Sequence, residues 1–143
     1  MDCEELRKLE SLIARYTLNG DRGKLDALAA CFAADGVLEF PGHRLVGPQD
    51  IAAALSTASR AASLDRVRHH LTTRHFEFTP GNRVANGRIY FLVITNVGLD
   101  HSGVYVDRYV RTDGQWLIAQ RHVRIDWQSP NSLYERFAPA APH

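Results

Sequence analysis

Cysteine is scarce in this chain: Cys3 and Cys31 are the only two among 143 residues. Two thiols make neither a disulfide framework nor a zinc site of usual spacing, so a reducing cytoplasm is the expected setting. An excess of one charge is lacking too. Lys and Arg number 17 against 16 Asp and Glu, for a formal net charge of +1. No basic stripe runs along the chain, which argues against a nucleic-acid partner. The Arg121/Arg124 pair beside His122 reads instead as a solvated strand edge. The N-terminus opens on Asp2, Glu4 and Glu5 rather than on basic residues before an apolar run. Neither a signal peptide nor a membrane span is therefore expected.

The motifs of several reaction classes are missing as well. There is no glycine-rich phosphate loop, no Gly-x-Ser-x-Gly elbow and no dinucleotide fingerprint. Covalent and nucleotide-dependent chemistry lack their usual equipment, and no cofactor is expected. Seven histidines raise the question of a metal. His69, His70 and His75 form the only cluster. On a strand His69 and His70 point to opposite faces, while His69 and His75 lie roughly 20 Å apart at ~3.3 Å per residue. That spacing does not suit one ion, and no metal site is expected. For an enzyme, acid–base catalysis by side chains is what remains.

What the chain does have is material for one core: 45% hydrophobic and 23% charged residues in a single-domain length. Leu6, Leu9, Leu12, Ile13 and Tyr16 form a helical stripe that Asn19-Gly20 would stop, with Asp21 placed to cap a second helix. Leu25, Leu28, Ala29 and Phe32 carry that helix. Val37–Phe40 reads as a short strand closed by Pro41-Gly42. Gly47-Pro48-Gln49-Asp50 starts a third helix through Ile51, Ala54 and Leu55, and 57–65 reads as its end and a loop. Strands follow at Arg68–Phe78, Val84–Val97, Val104–Arg111 and Gln115–Trp127. The turns between them are Pro80-Gly81-Asn82, Asp100-His101-Ser102-Gly103 and Thr112-Asp113-Gly114. Helices first and hairpin-linked strands after imply an α+β fold, a curved antiparallel sheet with three N-terminal helices on one face. The domain spans 1–128, and 129–143, rich in Pro, Ala and Ser, reads as a loosely ordered tail. Apolar residues on both faces of Ile89–Ile94, with either Val104, Val106 and Val110 or the residues alternating with them, suggest a homo-oligomer built through the sheet, a dimer or trimer.

The order and spacing of several short motifs carry a resemblance. These are Asn19-Gly20-Asp21-Arg22, Phe32-Ala33-Ala34-Asp35-Gly36, Gly47-Pro48-Gln49-Asp50-Ile51, His69-His70-Leu71-Thr72-Thr73 and Trp116-Leu117-Ile118-Ala119-Gln120-Arg121. Together they resemble the SnoaL-like branch of the NTF2-like superfamily, from about Leu6 to Trp127. The resemblance implies a cone-shaped α+β barrel with a hydrophobic pocket between helices and sheet. From dehydratase and dehydrochlorinase members it also implies an Asp–His dyad, which falls on Asp21 and His69, with Thr72 as the family's threonine and Arg121 as an assisting arginine. Thr73 stands where the family commonly has Asn, which leaves the neighbouring hydrogen bond open.

The chemistry implied is cofactor-free proton transfer on a small hydrophobic substrate, by a lyase (dehydratase- or dehydrohalogenase-like) or an isomerase. Imidazole titrates near neutrality and takes a proton without prior activation. A carboxylate on its other nitrogen fixes the tautomer and stabilises the imidazolium. A polyketide-type cyclase and a non-catalytic small-molecule-binding or assembly module are the alternatives. Each residue also has a structural reading: Asp21 as a helix cap, His69 as an interfacial strand histidine, Arg121 as an interior salt bridge or an edge residue. Strand alternation favours His70 over His69 as the inward residue unless a bulge shifts the facing, so His70 stands as the alternate. Tyr16, Phe32, Leu38, Phe40, Tyr90 and Tyr105 complete the candidate pocket residues.

Overall fold

Apolar residues three and four apart wind the first helix, α1 (Cys3–Asp21), in a computed structural model that describes residues 2–62 and 66–137. The Asp2 carboxylate accepts the Glu4 N–H at 2.9 Å and starts the helix. The helix runs through Asn19 and Gly20, which do not stop it. Gly20 is there for packing, since a Cβ on it would meet Leu28 Cδ1 at 3.0 Å. The break comes at Gly23, whose φ of 71° is open to glycine at no steric cost. Asp21 is therefore the last residue of α1, not a cap. The second helix, α2 (Leu25–Ala29), begins at Lys24 without a side-chain cap.

Phe32 leaves the helix it was expected to join and opens strand β1 (Phe32–Phe40). Pairing overrides the helical spacing here, because the Ile118 N–H reaches Cys31 O at 2.8 Å. A further strand not foreseen, β2 (His43–Val46), hairpins back on β1 through Pro41-Gly42. Helix α3 (Pro48–Ala62) extends well past Leu55, since the small residues taken for a loop are largely helix-forming alanines. The rest of that expected loop, 63–65, lies outside the described residues. Four long strands complete the chain: β3 (Val67–Phe78), β4 (Val84–Thr95), β5 (Gly98–Thr112) and β6 (Gln115–Gln128). Asp100-His101-Ser102-Gly103 is not a turn but the body of β5, because Gly98, at φ 88°, has already reversed the chain.

The six strands form one curved, unclosed sheet in the order β2-β1-β6-β5-β4-β3. It is mixed rather than wholly antiparallel, since β1 runs parallel to β6 (Leu38 opposite Arg121, Glu39 opposite His122). The helices cover one face, making the α+β cone. Between them lies the core: Leu9, Leu12, Ile13, Leu28 and Ile51 against Ile89, Tyr109, Trp116 and Ile118. Among the described residues no helix is long and apolar enough to cross a membrane. On the outer face Tyr90 and Trp127 stay 48% and 47% exposed.

Bulges decide which way the strands face. Leu71 pairs with Phe91 and Arg74 with Ile89, so two residues of β3 stand opposite one of β4. His69 and Leu71 therefore face the helices above the bulge, and Phe76 and Phe78 below it. In β6 the pairing skips Ala119 and again Asp126. Thus Trp116, Ile118, Arg121 and Ile125 are buried while Trp127 turns outward, against the strict alternation expected. Gly103 makes the second skip possible, because a Cβ there would lie 1.9 Å from Arg124 O.

Arg121 is wholly buried and paired with Asp107 through Nε at 2.9 Å and Nη2 at 2.7 Å. Tyr109 donates its hydroxyl to the same carboxylate. Removing one partner of such a pair strands a charge in the core. Asp107→Ala is expected to cost about 3–5 kcal/mol in chemical denaturation. The double variant Asp107→Leu with Arg121→Met should recover most of that loss, and a double variant as unstable as the single would refute this account.

Candidate active site

The end of α1 and the inward half of β3 meet at one carboxylate. Asp21 accepts the backbone N–H of His69 at 3.0 Å (Oδ2) and 3.3 Å (Oδ1), and its Oδ1 lies 2.6 Å from His69 Nδ1. The first contact docks the helix on the edge strand and the second aims the ring. With Nδ1 held by a carboxylate, the proton sits on Nδ1 and Nε2 is left for the cavity. The His69 side chain is 26% exposed and that of Asp21 6%, so the imidazole is reachable and its partner is not.

His69 lies in the wall of a cavity of about 760 Å³, within the usual range for small-molecule sites. Its walls come from α1 (Tyr16), β1 (Leu38, Phe40), α3 (Leu55, Ala58), β4 (Phe91), β5 (His101, Tyr105) and β6 (Val123, Ile125). A ladder of rings runs through it: Tyr16 edge-on to Tyr105 at 6.5 Å, Tyr105 stacked on Phe91 at 4.4 Å, Phe91 edge-on to His101 at 6.1 Å. A groove of about 650 Å³ between α2 and α3, lined by Ala29, Ala30, Ala52 and Ala53 with Asp26, Gln49 and Ser56 among others, brings no histidine with it.

Of the expected pocket residues, Tyr16, Leu38, Phe40 and Tyr105 line this cavity. Phe32 is buried behind it, edge-on to Tyr16 at 6.0 Å. His70 and Tyr90 are exposed on the opposite face, where the β3 bulge and the alternation of β4 direct them. Thr72 sits at the bulge and donates to Tyr90 O at 3.4 Å rather than to the dyad. Arg121 does not reach the cavity wall. Its guanidinium carbon stands 4.3 Å from the Tyr16 ring centroid and 4.0 Å from that of Tyr105, beneath both. Nη1 has no hydrogen-bond partner, and the two ring faces take up part of its charge instead. The expectation of a direct catalytic arginine is corrected on that geometry.

Sequence reasoning missed a second Asp–His pair. Asp100 Oδ1 lies 2.7 Å from His101 Nδ1, and His101 is 4% exposed in the cavity wall. His69 pairs with Val93 and Val93 with His101, which puts the two histidines two strands, or roughly 10 Å, apart in one row. The signal was present as adjacent Asp and His, but turn-like neighbours hid it. The segment from Ser129, expected as a loose tail, is tied down as far as Phe137. Phe137 N–H donates to Gln128 Oε1 at 2.9 Å, and Leu133, Tyr134 and Phe137 close one side of the cavity. Residues 138–143 lie outside the described residues. At the rim His43 Nε2 meets Glu135 Oε1 at 3.1 Å.

A SnoaL-like domain model matches residues 2–122. The chain belongs to the SnoaL-like domain family. A Mycobacterium tuberculosis protein of unknown function is similar to this SnoaL-like domain at 33% identity, over 85% of this chain and 72% of that one, with a TM-score of 0.76. A candidate scytalone dehydratase from Novosphingobium aromaticivorans is 21% identical over 99% and 95% of the two chains, TM-score 0.83. An NTF2-like protein with a cystatin-like fold, also from Novosphingobium aromaticivorans, is 22% identical over 91% and 87%, TM-score 0.78. At that identity the latter two share the fold. No curated protein sequence matches the chain.

Burial pushes the His101 imidazole below its ordinary 6.5, outweighing the upward pull of Asp100, and His69 adds to the lowering. The unfolded chain then binds this proton more readily than the folded one. Stability from this group is complete above 6.5 and is lost as pH falls through the lowered value. Thermal melts on acidification should fall less steeply for His101→Gln than for wild type. Parallel curves would contradict a neutral, buried His101.

Proposed function

We propose that this SnoaL-like domain is a cofactor-independent lyase or isomerase that acts on a small hydrophobic substrate by Asp–His acid–base catalysis. One observation carries the reading: a partly exposed imidazole held at 2.6 Å by a shielded carboxylate, in the wall of a ring-lined cavity. His69 Nε2 takes a proton from a substrate carbon, and Asp21 stabilises the imidazolium that forms. In an elimination the imidazolium returns that proton to the departing hydroxyl, so that water leaves and a double bond forms. In an isomerisation it returns the proton to a second carbon.

The other walls divide the remaining work. The rings of Tyr16, Phe40, Phe91 and Tyr105 give the cavity an apolar lining that holds the substrate and excludes water. Burial raises the hydroxyls of Tyr16 and Tyr105 above the ordinary tyrosine range, so both stay protonated and able to donate to a substrate oxygen. Arg121 acts through these two rings, beneath them. His101, with its Nδ1 proton on Asp100, presents an accepting Nε2 that suits a substrate hydroxyl.

The test is a thermal-shift panel of hydrophobic alcohols, ketones and organohalides, followed by turnover of each compound that stabilises the protein. His69→Ala is expected to keep ligand-induced stabilisation while losing about 10²–10⁴ in rate. Asp21→Asn should lose rate as well, and part of its stability, because the carboxylate also docks α1 on β3. Undiminished turnover in His69→Ala would sink the assignment. A panel without any stabilising compound would favour an assembly module instead.

A further inference from the structure

We propose that Asp100 is a positioning residue that couples the imidazole of His101 to the seating of Ser129–Phe137 over the cavity. This rests on the acid–base reading above for its purpose, though not for its test.

The argument begins with a bulge. In the pairing of β4 with β5, Val93 stands opposite His101 and Ile94 opposite Leu99, so Asp100 is the unpaired extra residue. Neighbours on a regular strand point to opposite faces. The bulge sets that rule aside, and the carboxylate of Asp100 meets the ring of the next residue at 2.7 Å. Asp100 is wholly buried, so each of its acceptor sites needs a donor.

Those donors divide between the cavity and the C-terminal segment. Oδ1 is shared by His101 Nδ1 and the Ser132 hydroxyl, the latter at 2.6 Å. Oδ2 accepts the Leu133 N–H at 2.9 Å and the Thr95 hydroxyl at 3.2 Å. The Asp100 carbonyl accepts the Ser129 N–H at 2.8 Å. Four donors fill a carboxylate. Burial pushes its pKa up, yet hydrogen bonds from Ser132, Leu133 and His101 hold it below the usual range. The group stays charged and the His101 proton stays on Nδ1.

The segment returns the contact from the other side of the ring. Tyr134 sits edge-on to His101 at 4.8 Å and Phe137 lies 5.4 Å from it. Ser132 fixes this turn by accepting the Tyr134 N–H at 3.1 Å while it donates to Asp100. Lifting the segment removes two donors from the Asp100 carboxylate and two rings from His101 together. Rotating His101 removes the surface on which those rings rest. Closure of the cavity and orientation of its second imidazole are one event, and such coupling is reciprocal.

Ser132→Ala in the full chain tests this without a substrate, because Ser132 makes no hydrogen bond to His101 and does not itself line the cavity. In 15N-labelled protein the Leu133 amide should exchange about tenfold faster, the scale of one net hydrogen bond. The His101 ring nitrogens should move toward mixed tautomers while those of His69 stay in place. Ser132→Thr, which keeps the hydroxyl, should restore both signals. Asp100→Asn should show both changes more strongly, and if it fails to fold, the two Ser132 variants decide alone. Faster Leu133 exchange with unmoved His101 nitrogens would overturn the coupling. So would equal displacement of His69, which would mark a general loosening. Failure of the His69→Ala turnover test would remove the catalytic reading and leave these signals as they are.

Discussion

An ion pair with no access to solvent underlies everything above it. Arg121 and Asp107 stand opposite each other on β6 and β5, and the cost of burying them is met only while both are present. Their surroundings follow from that demand. Tyr109 supplies a hydroxyl from one side, and Tyr16 from α1 and Tyr105 from β5 cover the guanidinium with their faces. Those two rings belong to two structures at once. Their lower faces neutralise a charge, and their upper edges form the floor of the cavity. The helix layer is thereby located against the sheet by a charge as well as by apolar contact.

Above that floor the two imidazoles share a row and differ in surroundings. His69 is held from outside its own element, by the last residue of a helix, and keeps a path to solvent. His101 is held by its own neighbour across a bulge and is enclosed by Phe91, Tyr134 and Phe137. The same chemical pair thus leaves one imidazole reachable from solvent and encloses the other. At His101 burial outweighs the upward pull of its carboxylate.

Much of this was legible in the residues, and the boundary of legibility is physical. Helix and strand order followed from period, and the turns at Pro80-Gly81-Asn82 and Thr112-Asp113-Gly114 appear where positive φ was demanded, at Asn82 and Asp113 with their glycines. The Asp21–His69 juxtaposition was reached through family resemblance, because nothing local joins residues 48 positions apart. What escaped depended on pairing. Phe32 looked helical until β6 claimed it. Asp100 and His101 looked like a turn because their composition is polar, whereas their burial is a property of the C-terminal segment that arrives thirty residues later. Arg121 was placed among apolar neighbours correctly, but only the Asp107 side chain explains why it is there.

The bulge in β3 has a consequence for how this strand tolerates change. Thr72 and Thr73 together occupy one step of the ladder, so they act as a frame boundary within the strand. Residues beyond it are read by the core and residues before it by the cavity. Deleting either threonine would leave one residue opposite Tyr90 and restore strict alternation, with His69 and Leu71 still on the face of Phe76 and Phe78. The strand can therefore shed its extra residue at the bulge without exchanging the faces of its two halves.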